Sequence, residues 1–366
     1  MSIPFSTVVK ALPDTIPFVG PETLERKYQK TFVARLGANE SAFGISANAS
    51  LAIQHAAETL DCSWYADPEN HELRTLLAKK HGVEIDNVCV DSGIDSLLGL
   101  TIRMFIEPGT SVVTSRGAYP TVNYHANGFG ANIHSVAYKD HHEDPVALVD
   151  AAHTHHARLI YLANPDNPMG TSLHPSAIEN LLTEIPKDCL LMLDEAYVEF
   201  MDQMPTLAID VADTRLIRFR TFSKAYGMAG MRIGYAIAHT DIIAGFNRIR
   251  NHFGVNRLAQ IAAAASIKDD AFIPKVVELV KHGRQRIYEL ADSLSLDYLE
   301  SATNFVAVDM GDAETANALI GSLADGGVFM RKPMVAPQDR YIRIGVGTLN
   351  EHQHLERVLV PLIKTR

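Results

Sequence analysis

Between about Asn70 and Ala238 the chain alternates short apolar runs with segments of helical period, and this restricts it to few folds. Val88–Val90, Ser111–Ser115, His134–Tyr138, Leu159–Ala163, Leu190–Leu193, Leu216–Arg220 and Tyr235–Ala238 read as strands. Glu72–His81, Ser96–Phe105, Pro175–Glu184 and Thr240–Arg250 read as helices. Such alternation predicts an α/β architecture, a mostly parallel sheet with helices on both faces. Open sheets of this kind bind ligands beyond the C-terminal ends of their strands. The residues just after each apolar run are therefore the ones to inspect for chemistry.

The chain ends differ from this middle. Residues 1–36 read as an arm, with Pro4, Pro13 and Pro17 and a short helix around Pro21–Lys30. Asn256–Ile267 and Ala271–Leu294 are helical stretches that lead away from the alternating region. Phe305–Asp309 (strand), Ala313–Asp325 (helix), Tyr341–Ile344 (strand) and Glu351–Ile363 (helix) then form a compact α+β pattern. At 366 residues, two domains are expected. The division read here is an arm over 1–36, a large domain over 37–265 and a small domain over 266–366.

The formal net charge of −10 argues against nucleic acid as the main partner, so an anionic ligand must be held by local arginines. No apolar run approaches the ~18 residues of a membrane span. The N-terminus lacks the basic start and apolar core of a signal peptide. Cys62, Cys89 and Cys189 lie far apart, which suits a reducing cytoplasm and provides no metal or disulfide framework. The histidine clusters His141–His142 and His153–His155–His156 lie in polar sequence without an H-E-x-x-H helix and read as surface residues, so no metal is expected.

Four blocks carry chemistry. In TFSKAYGMAGMR, Thr221–Arg232, one lysine lies among two hydroxyls and an arginine. The Lys224 amine can form a Schiff base with an aldehyde cofactor, while Thr221, Ser223 and Arg232 suit its phosphate. In LDEAY, Asp194 ends an apolar run. A carboxylate there is costly to bury unless paired, and a protonated ring nitrogen is such a partner. Tyr197 is placed to reach a ring hydroxyl. In NPDNPMG, Asn164–Gly170, two X-Pro steps make a rigid loop that holds Asn167 as a neutral donor. In Val90-Asp91-Ser92-Gly93-Ile94-Asp95 a strand runs into a helix, whose first N–H groups suit a phosphate. Each block also has an ordinary reading: a surface lysine in a glycine-rich loop, a helix-capping aspartate, a turn, a helix start. Together they point to pyridoxal 5'-phosphate (PLP).

In this order and spacing the blocks resemble the fold-type-I, class I and II aminotransferases, and within them the histidinol-phosphate aminotransferase branch. LGANES (Leu36–Ser41), YADPENHELRTLLA (Tyr65–Ala78), EPGTSVV (Glu107–Val113), AYPTVNY (Ala118–Tyr124), TNFVAV (Thr303–Val308) and YIRIGVGT (Tyr341–Thr348) extend the likeness over about residues 35–350. The resemblance implies a large domain with a seven-stranded, mostly parallel sheet and a small α+β domain built from both chain ends. It implies Lys224 as the Schiff-base lysine, Asp194 on the pyridine nitrogen, and Tyr197 and Asn167 on the ring hydroxyl. Tyr119 stacks on the ring. Thr221, Ser223 and Arg232, with backbone N–H groups at Gly93, Ile94 and Asp95, take the phosphate. The resemblance further implies that Tyr65 reaches that phosphate from a neighbouring subunit, and so a homodimer with shared active sites. Arg343 matches the arginine for a substrate anion and Arg331 a second one for substrate phosphate.

The chain departs from the branch in three places. His252-Phe253-Gly254-Val255-Asn256 stands where P-Y-N-V-N is usual, Gly93-Ile94-Asp95-Ser96 replaces G-S-D-E, and Phe18 stands where a tyrosine often contacts substrate phosphate. The function expected is amino transfer from a phosphorylated amine or amino acid to a 2-oxo acid such as 2-oxoglutarate. A general or aromatic/acidic amino-acid aminotransferase, a phosphoamino-acid decarboxylase of the same fold and a non-catalytic PLP-binding regulator are the alternatives.

Overall fold

In the computed structural model, which describes residues 3–13, 19–59, 63–201 and 205–364, the chain forms strands at every apolar run read above. Phe18 and Cys62 lie outside the described residues. The strands are β1 (Ala34–Arg35), β2 (Val88–Asp91), β3 (Ser111–Ser115), β4 (Asn132–Val136), β5 (Leu159–Ala163), β6 (Leu190–Asp194), β7 (Leu216–Thr221), β8 (Gly234–Ala238), β9 (Phe305–Asp309), β10 (Val328–Phe329) and β11 (Tyr341–Gly345). Seven of them make one sheet in the order β2-β8-β7-β6-β5-β3-β4. From β4 to β7 all neighbours are parallel, and β8 runs antiparallel to both of its neighbours.

Successive side chains of a strand point to opposite faces, and both faces here are covered. Tyr161 and Met192 pack with Leu97, Val122 and Phe246 on one face. Ile160, Leu162 and Leu191 pack with Leu148, Ile178 and Leu181 on the other. This explains why every residue of β5 is buried and why its sequence shows no polar alternation. β4 begins two residues earlier than its apolar run implied, because its register is set by pairing Ser111–Ser115 with Asn132–Val136. It is the half-exposed edge strand, so polar residues are tolerated in it. Tyr138, read as its last residue, has left the ladder and donates its hydroxyl to Asp166 at 2.9 Å.

The N-terminal arm and the C-terminal segment share a core. β1 pairs in parallel with β10, and β9 pairs antiparallel with β11. Ala34 and Leu36 are buried among Val328, Met330, Ile342, Ile344, Leu355 and Leu359. Helix Arg257–Ile267 packs near β2 and β8, whereas helix Phe272–Ser293 contributes Val276, Val280 and Ile287 to the shared core. Among the described residues no helix is long and apolar enough to cross a membrane, and no group of three or more His, Cys, Asp or Glu could hold a metal ion.

Candidate active site

The C-terminal ends of β2, β5, β6 and β7 open onto one cavity of about 240 Å³. Ile94 and Asp95 line it after β2, Asn167 after β5, Asp194 and Tyr197 at the end of β6, and Thr221, Ser223 and Lys224 after β7. Tyr119 and Arg232 line it too, whereas Gly93, also read from sequence as a cofactor residue, does not. Parallel strands align these ends side by side, so residues far apart in the chain meet there.

Asp194 is 5% exposed. Its Oδ2 accepts the Tyr161 hydroxyl at 2.8 Å, and its Oδ1 accepts the Ala196 N–H at 3.0 Å. Both donors are neutral. Burial pushes its pKa up to about 6, since desolvation penalises the charged form more than these two hydrogen bonds favour it. The next residue is in the opposite situation. Glu195 is bound by Arg218 Nη2 at 2.6 Å and by Arg220 Nε at 2.9 Å. Burial opposes its ionisation too, but Arg220 and Arg218 outweigh that and hold its pKa below the ordinary value. Consecutive strand residues face opposite sides, so the two arginines serve Glu195 and leave Asp194 to the cavity.

Lys224 extends from the loop after β7, and its Nζ donates to the Asn39 main-chain oxygen at 3.0 Å. The same Nζ lies 5.4 Å from the centre of the Tyr197 ring. Asn39 also donates its amide to the Tyr197 hydroxyl at 3.0 Å. At the other end of the cavity, Gly93 precedes helix Ile94–Phe105 with φ +88°. That φ strains any other residue, and a Cβ there would stand 2.8 Å from Arg232 Nη2, so glycine lets the guanidinium lie where it does against the helix start. Arg232 Nη2 lies 3.6 Å from Asp95 Oδ2, and Asp95 Oδ1 accepts the Tyr119 hydroxyl at 3.0 Å. Burial, then Asp95, pushes the Tyr119 hydroxyl pKa well up, so it stays a donor. Thr221 Oγ1 accepts the Ser223 N–H at 3.0 Å, which fixes the turn into Lys224.

Asn167 is reached by Arg343, whose guanidinium donates to its side-chain oxygen. That leaves the Asn167 NH₂ as the group that can donate into the cavity. Arg343 Nε is buried without a hydrogen-bond partner. Arg331 and Arg343 are opposite each other in an antiparallel bridge, with the Arg343 N–H on the Arg331 oxygen at 2.9 Å. Neither arginine lines the cavity; Arg331 Nη2 donates to the Val19 oxygen of the arm at 2.7 Å. Tyr65 also lies outside the cavity, 79% exposed, with its ring 4.7 Å from that of Phe253.

Sequence reasoning missed Asn39, Tyr161 and the pairing of Glu195. Asn39 stands in a recognised block, LGANES, but nothing local shows that its carbonyl meets a lysine 185 positions away. Tyr161 is the one hydroxyl-bearing residue in the run LIYLA, a signal that was available. In chemical terms the cavity offers an amine, a buried carboxylate without a cation, neutral donors between them, and a helix start beside an arginine. An aldehyde bearing a ring nitrogen and a phosphate would find a partner for each of its groups.

A family model described as aminotransferase class I and II matches residues 32–359. A histidinol-phosphate aminotransferase of Moorella thermoacetica is 32% identical, with 92% of this chain and 87% of that protein covered. A histidinol-phosphate aminotransferase of Cupriavidus pinatubonensis is 34% identical, with 87% of this chain and 85% of that protein covered. The crystal structure of histidinol-phosphate aminotransferase from Sinorhizobium meliloti in complex with pyridoxal-5'-phosphate is similar at a TM-score of 0.96 and 42% identity, over 100% of this chain and 99% of that one.

Proposed function

The chain belongs to the class I and II aminotransferase family and is a PLP-dependent transaminase; from that premise we propose that it moves an amino group from a phosphorylated amine of the histidinol-phosphate kind to 2-oxoglutarate. The observation that carries this reading is the shared cavity of Lys224 and Asp194, with Arg343 reaching it through Asn167. The names of the relatives support the donor class. The paired positions of Arg331 and Arg343 support an anionic substrate, since guanidinium groups fit phosphate and carboxylate bidentately.

The residues fit PLP on observations of this site. Asp194 is a buried carboxylate with neutral donors only, which suits a cationic ring N–H. Gly93 leaves room for Arg232 beside a helix start, which suits a phosphate. When bound, PLP supplies an aldehyde for the amino group and a ring that takes up negative charge. Lys224 Nζ would hold that aldehyde at rest and, once free, would take the proton from the donor's α-carbon and deliver it to the carbon that had carried the aldehyde oxygen. The Asn39 oxygen is the acceptor against which the released amine rests. Tyr197 and Asn167 are assigned to the ring hydroxyl, Tyr119 to the ring face, and Thr221, Ser223, Arg232 and the N–H groups at Gly93, Ile94 and Asp95 to the phosphate. Arg343 is assigned to the substrate carboxylate or phosphate.

The same reading makes the protein a cytoplasmic homodimer, with the partner subunit's Tyr65 closing each phosphate site. It keeps the division into an arm over 1–36, a large domain over 37–265 and a small domain over 266–366. One observation favours a general amino-acid aminotransferase instead: Arg331 is already committed to the Val19 oxygen. The test is a half-reaction screen. Histidinol phosphate, histidinol and acidic amino acids are added to the PLP-loaded protein and loss of its visible absorbance is followed. Saturation at the lowest concentration by the phosphorylated amine is expected. Equal response to the dephosphorylated amine, or release of CO₂ in place of 2-oxoglutarate consumption, would overturn the donor or the reaction.

A further inference from the structure

We propose that Tyr161 is a positioning residue for the reaction: its hydroxyl, donated to Asp194 at 2.8 Å, fixes that carboxylate so that the remaining lone pairs face the cofactor ring nitrogen. The proposal rests on the assignment of Asp194 given above.

Tyr161 lies in the middle of β5, opposite Met192 in register, and so stands on the same face as Asp194 one diagonal step along the sheet. Its side chain is wholly buried and lines the cavity. A phenol in that position is costly without a partner, and the Asp194 carboxylate is the partner it has. The Ala196 N–H takes the other oxygen from the loop side. The two neutral donors hold the carboxylate plane at both oxygens without neutralising it. A cation in the place of Tyr161 would compete with the ring nitrogen, and a phenylalanine would leave the carboxylate held at one oxygen only. The neighbouring cations cannot intrude, because Arg218 and Arg220 are both bound by Glu195. Tyr161 thus acts on the cofactor only through Asp194, which distinguishes it from the residues that touch the ring.

The experiment is a double-mutant cycle on PLP affinity, read by fluorescence titration of apo-protein, with circular dichroism confirming the fold. Tyr161→Phe keeps the ring and its packing and removes only the hydroxyl. In the wild-type background it is expected to weaken PLP binding about fivefold to tenfold, the size of one ordinary hydrogen bond. In the Asp194→Asn background it is expected to change affinity less than twofold, because the route through the carboxylate is gone. An equal loss in both backgrounds would mean that Tyr161 only supports packing, and no loss in either would remove its role; both overturn the proposal. If Asp194→Asn alone leaves PLP affinity intact, the assignment of Asp194 fails first, and the two failures are told apart.

Discussion

The amine of Lys224 and the main-chain oxygen of Asn39 are 3.0 Å apart, while the Asn39 amide holds the Tyr197 hydroxyl at the same distance. A residue of the N-terminal segment thereby touches two groups that leave the ends of separate strands. Asn304, just before β9, grips the same Asn39 oxygen at 3.2 Å, so the shared terminal core is tied directly to the site. Asn39 has φ +55°, a left-handed conformation that asparagine and glycine tolerate.

That conformation separates two substitutions. Asn39→Gly and Asn39→Ala both remove the hydrogen bond to Tyr197, and both are expected to lower transamination. Alanine also carries a Cβ in the left-handed region, so Asn39→Ala is expected to be less stable than Asn39→Gly by about 1 kcal/mol in urea unfolding. Equal stability of the pair would remove the backbone argument.

The raised pKa of Asp194 gives a pH dependence with a definite sign. Burial lifts the folded carboxyl from 3.8 to about 6. Below about pH 4 the group is protonated folded or unfolded, and its contribution to stability is complete. As pH rises through about 6 the folded form must ionise a buried group, and that contribution is lost, on the order of 3 kcal/mol. Asp166 and Glu199 are pushed up to about 7 by burial and act in the same direction, so the share of Asp194 is read by difference. Thermal melts of the apo-protein from pH 4 to pH 8 are expected to fall more steeply for the wild type than for Asp194→Asn. Parallel curves would mean that Asp194 titrates normally.

The two arginines are expected to differ. Arg343→Lys keeps the charge and loses the planar fork, and should raise KM for every anionic donor by about 10- to 100-fold. Arg331→Ala should raise KM for phosphorylated donors while sparing carboxylate donors. Steady-state kinetics with one donor of each kind checks both. A uniform effect of Arg331→Ala would remove its link to phosphate.

Tyr65 tests the subunit arrangement. It is exposed on its own chain and outside the cavity that chain forms. Tyr65→Ala is nonetheless expected to weaken PLP binding about tenfold, as loss of a hydrogen bond to a charged group would. Mixing inactive Lys224→Ala with Tyr65→Ala protein should restore some activity, since a mixed dimer holds one intact site. No recovery on mixing, with light scattering showing a monomer, would contradict a shared site.

Lys224, Asp194, Asn167 and Ile94 were all legible because each lies in the short segment after an apolar run, and a parallel sheet brings such ends together. Asn39 was present in a recognised motif but had no readable role, since its partner lies in a different part of the chain. Arg331 and Tyr65 were read as site residues from resemblance; within one chain the first holds the arm and the second faces outward. β4 was placed two residues late because an edge strand tolerates polar residues and blurs its own boundary.

The sequence alone determined the alternating order of elements, the chemistry available at each strand end, and thereby the cofactor. Those depend on periodicity and residue type, which are local properties of the chain. Tertiary structure alone decided that the arginines of β7 belong to Glu195 and not to Asp194, that Tyr161 meets Asp194, and that β1 completes the core around β10. Those outcomes depend on which face each side chain takes and which strand lies alongside, and both are fixed only when the sheet assembles.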